Sequence, residues 1–254
     1  MVRKKHTKKF LEKRYQRKSS KKSITRIYDT VLISNKEQRS DFTANEDISF
    51  IECGYARGFS FWQSKLASSA KKLSLKDNFM FWPLTVLSRD EPDGSVMDLE
   101  ENMNKTLQCI KKYHPTLKIV FRYHPTTDRN KFSRILKRTD FKNYEFSNDH
   151  PIQILQRCSF VFSNTGTSIF ADAVANDVPI VQYSPDKVSF LLKSSNGKFK
   201  PLYAPLIDYF TTNEIEFRGI LKLHMTGKLR CKKKPKGVNE FVSKPVSTIL
   251  KQIS

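Results

Sequence analysis

Long apolar stretches are missing from this sequence, and no run approaches the roughly 20 apolar residues that cross a bilayer. The charged N-terminus is not followed by an apolar segment, so we expect no signal peptide and a cytoplasmic location, in a host cell if the protein is viral. Cysteine is scarce, and Cys53, Cys109, Cys158 and Cys231 form no CxxC pair. This spacing favours four reduced thiols over a zinc site or a disulfide framework.

Acidic residues are outnumbered by basic ones, 25 to 46, which gives a formal net charge of +21. Such an excess indicates which partners a protein binds and gives no information about its fold. Residues 1–22 contain eleven Lys or Arg and one Glu, and residues 221–237 contain seven and no acid. We expect both segments to contact nucleic acid, DNA in particular, with an anionic membrane surface as the alternative partner. For residues 1–22, a disordered solubilising tail is another interpretation.

Apolar residues make up 38% of the chain and cluster in short runs, which suffices for a packed core. From residue 79, strands that are apolar on both faces alternate with amphipathic helices. This alternation is typical of a doubly wound, parallel Rossmann-type sheet, so the predicted fold class is α/β. The predicted domains are a basic arm (1–23), a reduced N-terminal subdomain (24–75), a nucleotide-binding Rossmann-like domain (76–185) and a C-terminal extension with a basic segment and a terminal helix (186–254).

The periodicity predicts individual elements as follows. Predicted strands cover residues 30–33, 48–51, 79–87, 117–122, 143–146, 159–162 and 178–183. Predicted helices cover residues 60–73, 95–113, 129–138, 151–157 and 167–176. We further expect a polar turn at 88–94, a helix cap at Ser95, loops and short helices over 184–217, and a packing helix in the last fifteen residues.

Two loops that follow predicted strands contain the side chains best suited to a ligand. The first is Arg122-Tyr123-His124-Pro125. Proline restricts the backbone on both sides of its own nitrogen, which favours a His124 imidazole directed into the crevice at the strand ends. There the imidazole would donate to a phosphate or act as an acid for a leaving group. The alternative is a plain turn. By contrast, His114-Pro115 precedes a strand, so we expect it at the opposite edge with a structural role.

The second loop runs from Ser163 to Ser168 and precedes a predicted helix. Small hydroxyl residues and a glycine between a strand and a helix are typical of an anion cradle. The candidate ligand contacts are Ser163, Thr165, Gly166, Thr167 and Ser168. Because GxxxxGK[ST] is absent, ATP hydrolysis is not predicted, and an ordinary helix-capping cluster is the alternative. Asp172, one turn into the helix, would accept from ribose hydroxyls or else face solvent.

A general base for an acceptor hydroxyl has two candidates. Glu52 follows an apolar strand in Ile51-Glu52-Cys53-Gly54-Tyr55, and Asp90 lies in the acidic turn 90–94. Either carboxylate would remove a proton from the acceptor. The alternatives are a solvated strand end for Glu52, and a type I turn followed by a helix cap for the acidic turn.

Taken in order, residues 51–55 (IECGY), 82–90 (WPLTVLSRD), 122–125 (RYHP), 167–173 (TSIFADA) and 178–181 (VPIV) resemble the capsule polysaccharide synthesis glycosyltransferases. That family includes transferases of Kdo and is similar to the bacterial sialyltransferases, which share a His-Pro motif and an acidic-Gly motif. The resemblance covers about residues 48–185.

The resemblance implies a GT-B fold, a UDP-sugar or CMP-sugar donor held by the C-terminal Rossmann-like domain, and no obligatory metal. It assigns His124 to the donor phosphate, Thr167 and Ser168 to phosphate or nucleoside groups, and Glu52 to the acceptor side of the cleft. Asp172 stands where the family usually has Glu, which contacts the ribose or base. The chain departs from the family at Thr85, usually Gln, and in its short N-terminal half, so acceptor recognition would come from basic segments or a partner chain.

These observations predict a glycosyltransferase in which a carboxylate deprotonates the acceptor and basic groups stabilise the departing phosphate. The net charge favours a polyanionic acceptor, with hydroxymethylated DNA first by analogy with small phage DNA glycosyltransferases. A lipid-linked saccharide at an anionic membrane is the alternative that the Kdo-type relatives imply. A prediction of another class is a non-catalytic nucleic-acid-binding protein with a Rossmann core, since aromatic and basic residues are interleaved, as in Lys198-Phe199-Lys200.

Overall fold

The computed structural model describes residues 30–33, 49–52, 64–65, 78–84, 88–90, 96–125, 127–185, 191–193, 199–201 and 203–234. The predictions for the basic arm, for the last fifteen residues and for nearly all of the helix at 60–73 lie outside these ranges. The described strands are β1 (Thr30–Ile33), β2 (Ser49–Glu52), β3 (Met80–Pro83), β4 (Ser88–Asp90), β5 (Val96–Asp98), β6 (Ile119–Arg122), β7 (Tyr144–Phe146), β8 (Phe160–Ser163), β9 (Ile180–Tyr183), β10 (Leu191–Lys193), β11 (Phe199–Pro201) and β12 (Tyr209–Thr211). The described α-helices are α1 (Glu100–Tyr113), α2 (Arg129–Thr139), α3 (Pro151–Leu155), α4 (Ile169–Ala175) and α5 (Glu214–Met225).

Six strands form one parallel sheet in the order β12-β9-β8-β3-β6-β7. From β3 the chain builds outward through β6 and β7. It then returns to the other side of β3 and builds outward through β8, β9 and β12. This is the strand order of the doubly wound Rossmann sheet, which reverses direction between its first and fourth strands. The predicted α/β class with a doubly wound parallel sheet is therefore confirmed.

Both faces of the sheet are buried, which explains the continuous apolar strands. In the strand β3 and the residue before it, Phe79 and Phe81 pack in the layer that contains α3 and α4, whereas Met80 and Trp82 pack in the layer that contains α1, α2 and α5. All four side chains are at most 3% exposed. Burying a side chain of this size contributes roughly 1.5–3 kcal/mol, so packing in both layers stabilises the sheet.

The helices of the first layer follow from their sequences. In α1, the buried residues Met103, Leu107 and Ile110 recur every three or four positions and face the sheet. In α2, the Asp128 carboxylate accepts from the backbone N–H groups of Asn130 and Lys131 and so caps the first turn. None of the helices in the described part of the chain is long and apolar enough to cross a bilayer.

The structure differs from the sequence prediction around residues 80–100. β3 covers only Met80–Pro83, and β4 pairs with β5 as an antiparallel hairpin where a polar turn and a helix start were predicted. The helix α1 begins at Glu100, and Leu99, not Ser95, occupies its N-cap position. The carboxylates of Glu100 and Glu101 in the first turn favour this later start, because negative charge stabilises a helix N-terminus. Five residues join β4 to β5, a common length for a hairpin loop.

The prediction of loops and short helices over 184–217 is correct only in part: a short 3-10 helix covers Ala204–Leu206, but the range also contains three strands and the start of α5. β10 and β11 form an antiparallel pair, β12 adds a sixth parallel strand beside β9, and α5 follows. The three residues of β12 are too few for strand periodicity to emerge from the sequence. The parallel sheet therefore continues into the segment that the sequence pattern assigned to the C-terminal extension.

Candidate functional site

The loops that follow the six parallel strands all leave from one edge of the sheet, here called the carboxyl edge. In such sheets, ligands bind in the crevice outside this edge at the point where the strand order reverses. That point lies between β3 and β8 in this chain. The Ser/Thr loop (residues 163–168) follows β8 and adjoins the crevice directly. The His-Pro loop (residues 122–125) follows β6, on the other side of β3, so the topology brings both predicted loops to one edge.

The His-Pro loop is a tight turn fastened by Thr127. The Thr127 N–H donates to the His124 carbonyl at 2.9 Å, and the His124 N–H donates to Thr127 Oγ1 at 3.0 Å. Thr127 is buried, whereas His124 and Pro125 are exposed. The turn therefore presents His124 at the surface of the carboxyl edge, where a group that contacts a bound phosphate must lie.

The two residues before His124 attach this loop to the end of β7. Arg122 is half-buried, and its Nε donates to the Asp149 carbonyl at 2.9 Å. The Tyr123 ring stacks on Phe146 with centroids 4.6 Å apart and planes at 10°, and the Arg129 guanidinium lies 4.8 Å from the Tyr123 centroid. Burial raises the pKa of Tyr123 despite that cation. These contacts fix the base of the His-Pro loop.

The Ser/Thr loop has a buried half and a surface half. Ser163 and Thr165 are each 2% exposed, and the Thr165 N–H donates to Ser163 Oγ at 3.1 Å. Thr167 is half-buried, and its Oγ1 accepts from the Ile169 N–H at 3.4 Å in the first turn of α4. Gly166 is half-buried and Ser168 is exposed. Of the five residues predicted in this loop, Gly166, Thr167 and Ser168 therefore form its surface.

The residue that holds this loop is one that sequence analysis did not select. Asn164 is 6% exposed, and its Nδ2 donates to Thr106 Oγ1 of α1 at 2.9 Å and to the Tyr183 carbonyl of β9 at 2.7 Å. The Ser184 hydroxyl donates to the Asn164 carbonyl. A single asparagine after a strand creates no periodic pattern. Its position directly before Thr165 and Gly166 was the one sequence signal that it holds this loop.

Asp172 is a buried residue of the helix that follows the Ser/Thr loop. Its side chain is fully buried in α4. The suggestion of a solvent-facing helix residue is therefore wrong. A contact between its carboxylate and a ribose hydroxyl stays a prediction.

The two candidate general bases each end a strand of a separate two-stranded sheet. Glu52 is paired with Ile33 at the end of β2, and Asp90 is paired with Val96 at the end of β4. Both pairings are of backbone. A catalytic role for either carboxylate stays a prediction.

The described part of the basic segment lies at the opposite edge of the sheet, here called the amino edge. Leu229, Arg230 and Cys231 line a cavity of about 740 Å³ together with Ser159, Val178 and Pro179, which directly precede β8 and β9. His114, expected at this edge, lies here as well, with its Nε2 3.0 Å from His224 Nδ1. Strands of four residues separate the edges by about 13 Å. This part of the basic segment therefore does not line the crevice.

Among the side chains that the structure describes, no group of three or more His, Cys, Asp or Glu is arranged to hold a metal ion. The two predicted loops contribute hydroxyls, backbone N–H groups, the His124 imidazole and the Arg122 guanidinium, which are donors suited to phosphate oxygens.

Comparison with known proteins gives similarity in fold only. No family model and no curated protein matches the sequence. Similar solved structures include the wall teichoic acid polymerase TagF, at 15% identity and a TM-score of 0.44, with 89% of this chain and 59% of that chain covered. They also include S. aureus TarM in complex with UDP and alpha-GlcNAc-glycerol, at 15% identity and a TM-score of 0.45, with 89% and 41% covered.

A third similar structure is the pneumococcal O-GlcNAc transferase GtfA in complex with UDP and GlcNAc. Its identity is 11% and its TM-score 0.41, with 89% of this chain and 43% of that chain covered. The chain thus spans 41% to 59% of the length of these three proteins. At these identities and TM-scores, no activity follows from the similarity.

Proposed function

We propose that this protein is a glycosyltransferase of GT-B type that moves a sugar from a nucleotide-sugar donor to a hydroxyl acceptor. The observation that supports it is the placement of the Ser/Thr loop at the reversal point of a Rossmann sheet, with the His-Pro loop on the same edge one strand away. Such a crevice suits a nucleotide, since polar donors there face a ligand phosphate. The motif resemblance to Kdo-type and sialyl-type transferases narrows the ligand to a UDP-sugar or CMP-sugar.

In this proposal the donor phosphates lie between the two loops. The surface residues Gly166, Thr167 and Ser168 donate to phosphate or nucleoside oxygens from one side, and His124 approaches the leaving phosphate from the other. His124 stabilises the charge that develops as the sugar–phosphate bond breaks, or supplies a proton to it. No metal ion is required, because imidazole and backbone donors supply the stabilisation. Glu52 or Asp90 would deprotonate the acceptor hydroxyl.

The acceptor is a separate part of the proposal. A net charge of +21 supports a polyanionic acceptor such as hydroxymethylated DNA, with residues 1–22 as its contact and the cytoplasm as its compartment. The position of residues 228–234 at the amino edge argues against that segment as an acceptor contact. A lipid-linked saccharide is the second candidate. Two assays distinguish these acceptors. One measures transfer to hydroxymethylated duplex DNA by mass spectrometry of the nucleosides, and the other measures transfer to a lipid-linked acceptor in vesicles.

Calorimetric titration of the full chain with UDP-sugars and CMP-sugars tests the donor site. We expect binding to one of them, at least about tenfold weaker in Thr167→Ala and in His124→Ala, because each removes a donor to the phosphate. Ser133→Ala is the matched control, since Ser133 is an exposed hydroxyl on α2 away from the crevice. Absence of binding to every nucleotide and nucleotide sugar would reject the proposal and favour a non-catalytic nucleic-acid-binding protein.

A further inference from the structure

The basic segment at the amino edge follows a defined path that is fixed by a turn at Gly227. Gly227, with a φ of +63°, ends α5 in a left-handed turn that side chains other than glycine rarely adopt, and the Gly227 N–H donates to the His224 carbonyl. The chain then runs back over the sheet edge as residues 228–234, here called the strap. The strap contains five cations in seven residues.

Asp208 fastens the strap to the sheet. Its side chain is fully buried, with one oxygen accepting from the Ile180 N–H at 2.8 Å. The other oxygen accepts from the Lys232 N–H at 2.7 Å and from Lys234 Nζ at 2.6 Å. The Tyr209 hydroxyl donates to the Arg230 carbonyl at 3.1 Å. The Lys232 ammonium lies 4.2 Å from the Tyr209 ring centroid, and the Lys228 N–H donates to the Leu223 carbonyl. The strap is thus bonded at both ends, which fixes the backbone that bears the other three cations, Lys228, Arg230 and Lys233.

Helix ends add further cations to this edge. The helices run antiparallel to the strands, so their last turns lie at the amino edge, as the strap does. Lys112 ends α1, Lys137 ends α2 and Lys222 ends α5. All three are exposed, as are Lys228, Arg230 and Lys233, and none of the six forms an ion pair with another residue in the described ranges.

The same surface exposes one large apolar side chain. Met225, the last residue of α5, is 56% exposed and lies in the sequence between Lys222 and Lys228. A lysine-rich surface around an exposed apolar residue suits the interface of an anionic bilayer, where lysines meet the headgroups and the apolar side chain enters the acyl boundary. Duplex nucleic acid offers Met225 no comparable environment. Surfaces that bind nucleic acid also favour arginine over lysine, because the planar guanidinium binds a phosphate through two hydrogen bonds.

We infer that the amino edge, formed by the strap, the last turns of α1, α2 and α5, and Met225, is a docking surface for an anionic lipid membrane. Docking through this edge turns the carboxyl edge away from the bilayer. The crevice would then meet acceptors that project from the membrane or that are dissolved. This inference concerns the partner of a surface and does not rest on the proposed glycosyl transfer.

Co-sedimentation of the full chain with vesicles tests the inference. The vesicles are phosphatidylcholine alone, or phosphatidylcholine with about one quarter phosphatidylglycerol. We expect binding to the anionic vesicles, weakened by salt. The double variant Lys228→Gln/Lys233→Gln should bind at least about tenfold more weakly, since each lysine near an anionic surface is worth about fivefold in affinity. Lys105→Gln/Arg134→Gln, on exposed positions in the middle of α1 and α2, removes the same charge elsewhere and should bind like the parent protein.

Met225→Ser separates a membrane from a nucleic-acid partner. We expect it to weaken vesicle binding while leaving any binding to duplex DNA unchanged. Equal losses in the two double variants would overturn the inference, because net charge alone would then explain the binding. It would equally be overturned if Lys228→Gln/Lys233→Gln weakened DNA binding and left vesicle binding intact. Thermal melting of each variant confirms that the fold is retained.

Discussion

The Asn164 side-chain amide lies 2.9 Å from Thr106 Oγ1, a hydrogen bond that joins the Ser/Thr loop to α1 across 58 positions of sequence. The same amide nitrogen also donates to the Tyr183 carbonyl at 2.7 Å. One side chain thus connects the loop at the reversal point to a helix and to the neighbouring strand β9. The position of the candidate phosphate donors depends on this connection.

Asn164→Ala should therefore weaken both stability and ligand binding. It leaves the buried Thr106 hydroxyl and Tyr183 carbonyl without this donor, a loss of about 1–3 kcal/mol in the free energy of unfolding. Nucleotide-sugar affinity should fall about tenfold or more, because small displacements of positioning groups are costly. Urea unfolding and calorimetry measure the two effects. Asn130→Ala, at an exposed asparagine on α2, should change neither. Retained ligand affinity in Asn164→Ala would show that the loop does not need this clamp.

The buried His114–His224 pair makes acid destabilising. Burial lowers the pKa of His224 to about 4, with His114 as a smaller cause, and burial also lowers the pKa of His114. In the unfolded chain both imidazoles titrate near 6.5. Between about pH 4 and pH 6.5 the unfolded state therefore binds more protons, and stability falls as the pH falls through this range.

His224→Gln should flatten this pH dependence. We expect the parent protein to lose up to about 3 kcal/mol more than the variant between pH 7 and pH 4, measured by urea unfolding across that range. Parallel curves for the parent and His224→Gln would contradict the assignment.

The parallel sheet was predictable because its strands are apolar on both faces and are spaced by amphipathic helices. The same pattern located the His-Pro and Ser/Thr loops, since a loop between a buried strand and a helix must leave from the carboxyl edge. The β4–β5 hairpin was not predictable in this way, because Ser88-Arg89-Asp90 shows neither the apolar periodicity of a strand nor that of a helix. Nor was the depth of Asp172, because a polar residue on a short helix gives no sign of which face packs against the sheet.

The distribution of charge also needed the structure. From the sequence, residues 221–237 appear as one basic run, and nothing local separates Lys233 from Lys234. The buried carboxylate of Asp208, 26 residues before Lys234, makes the difference. Tertiary contacts of this range are outside the reach of periodicity and composition.

The described cysteines should react slowly with thiol reagents. Cys109, Cys158 and Cys231 are free, as expected. Burial raises the pKa of Cys109 to about 12 and that of Cys231 to about 11, and it raises the pKa of Cys158 as well. Since the thiolate is the reactive form, Cys231 should be alkylated at pH 7 about a hundredfold more slowly than a free peptide thiol. Peptide mapping after iodoacetamide treatment measures this, and peptide-like labelling of Cys231 would refute it.

The same substitution should destabilise the protein at Lys234 and leave its stability nearly unchanged at Lys233. The Lys234 side chain is 13% exposed and donates to the fully buried carboxylate of Asp208 and to the Leu206 carbonyl, whereas Lys233 is exposed. Removing one partner of a buried ion pair leaves the other charge in a poor environment, so Lys234→Gln should lower the free energy of unfolding by about 2–4 kcal/mol. The two backbone N–H groups on Asp208 keep the loss below the full penalty for an isolated charge. Lys233→Gln should change stability by less than about 0.5 kcal/mol. Because both variants lose one positive charge, equal melting temperatures would show that the Asp208 contact does not hold the strap in solution.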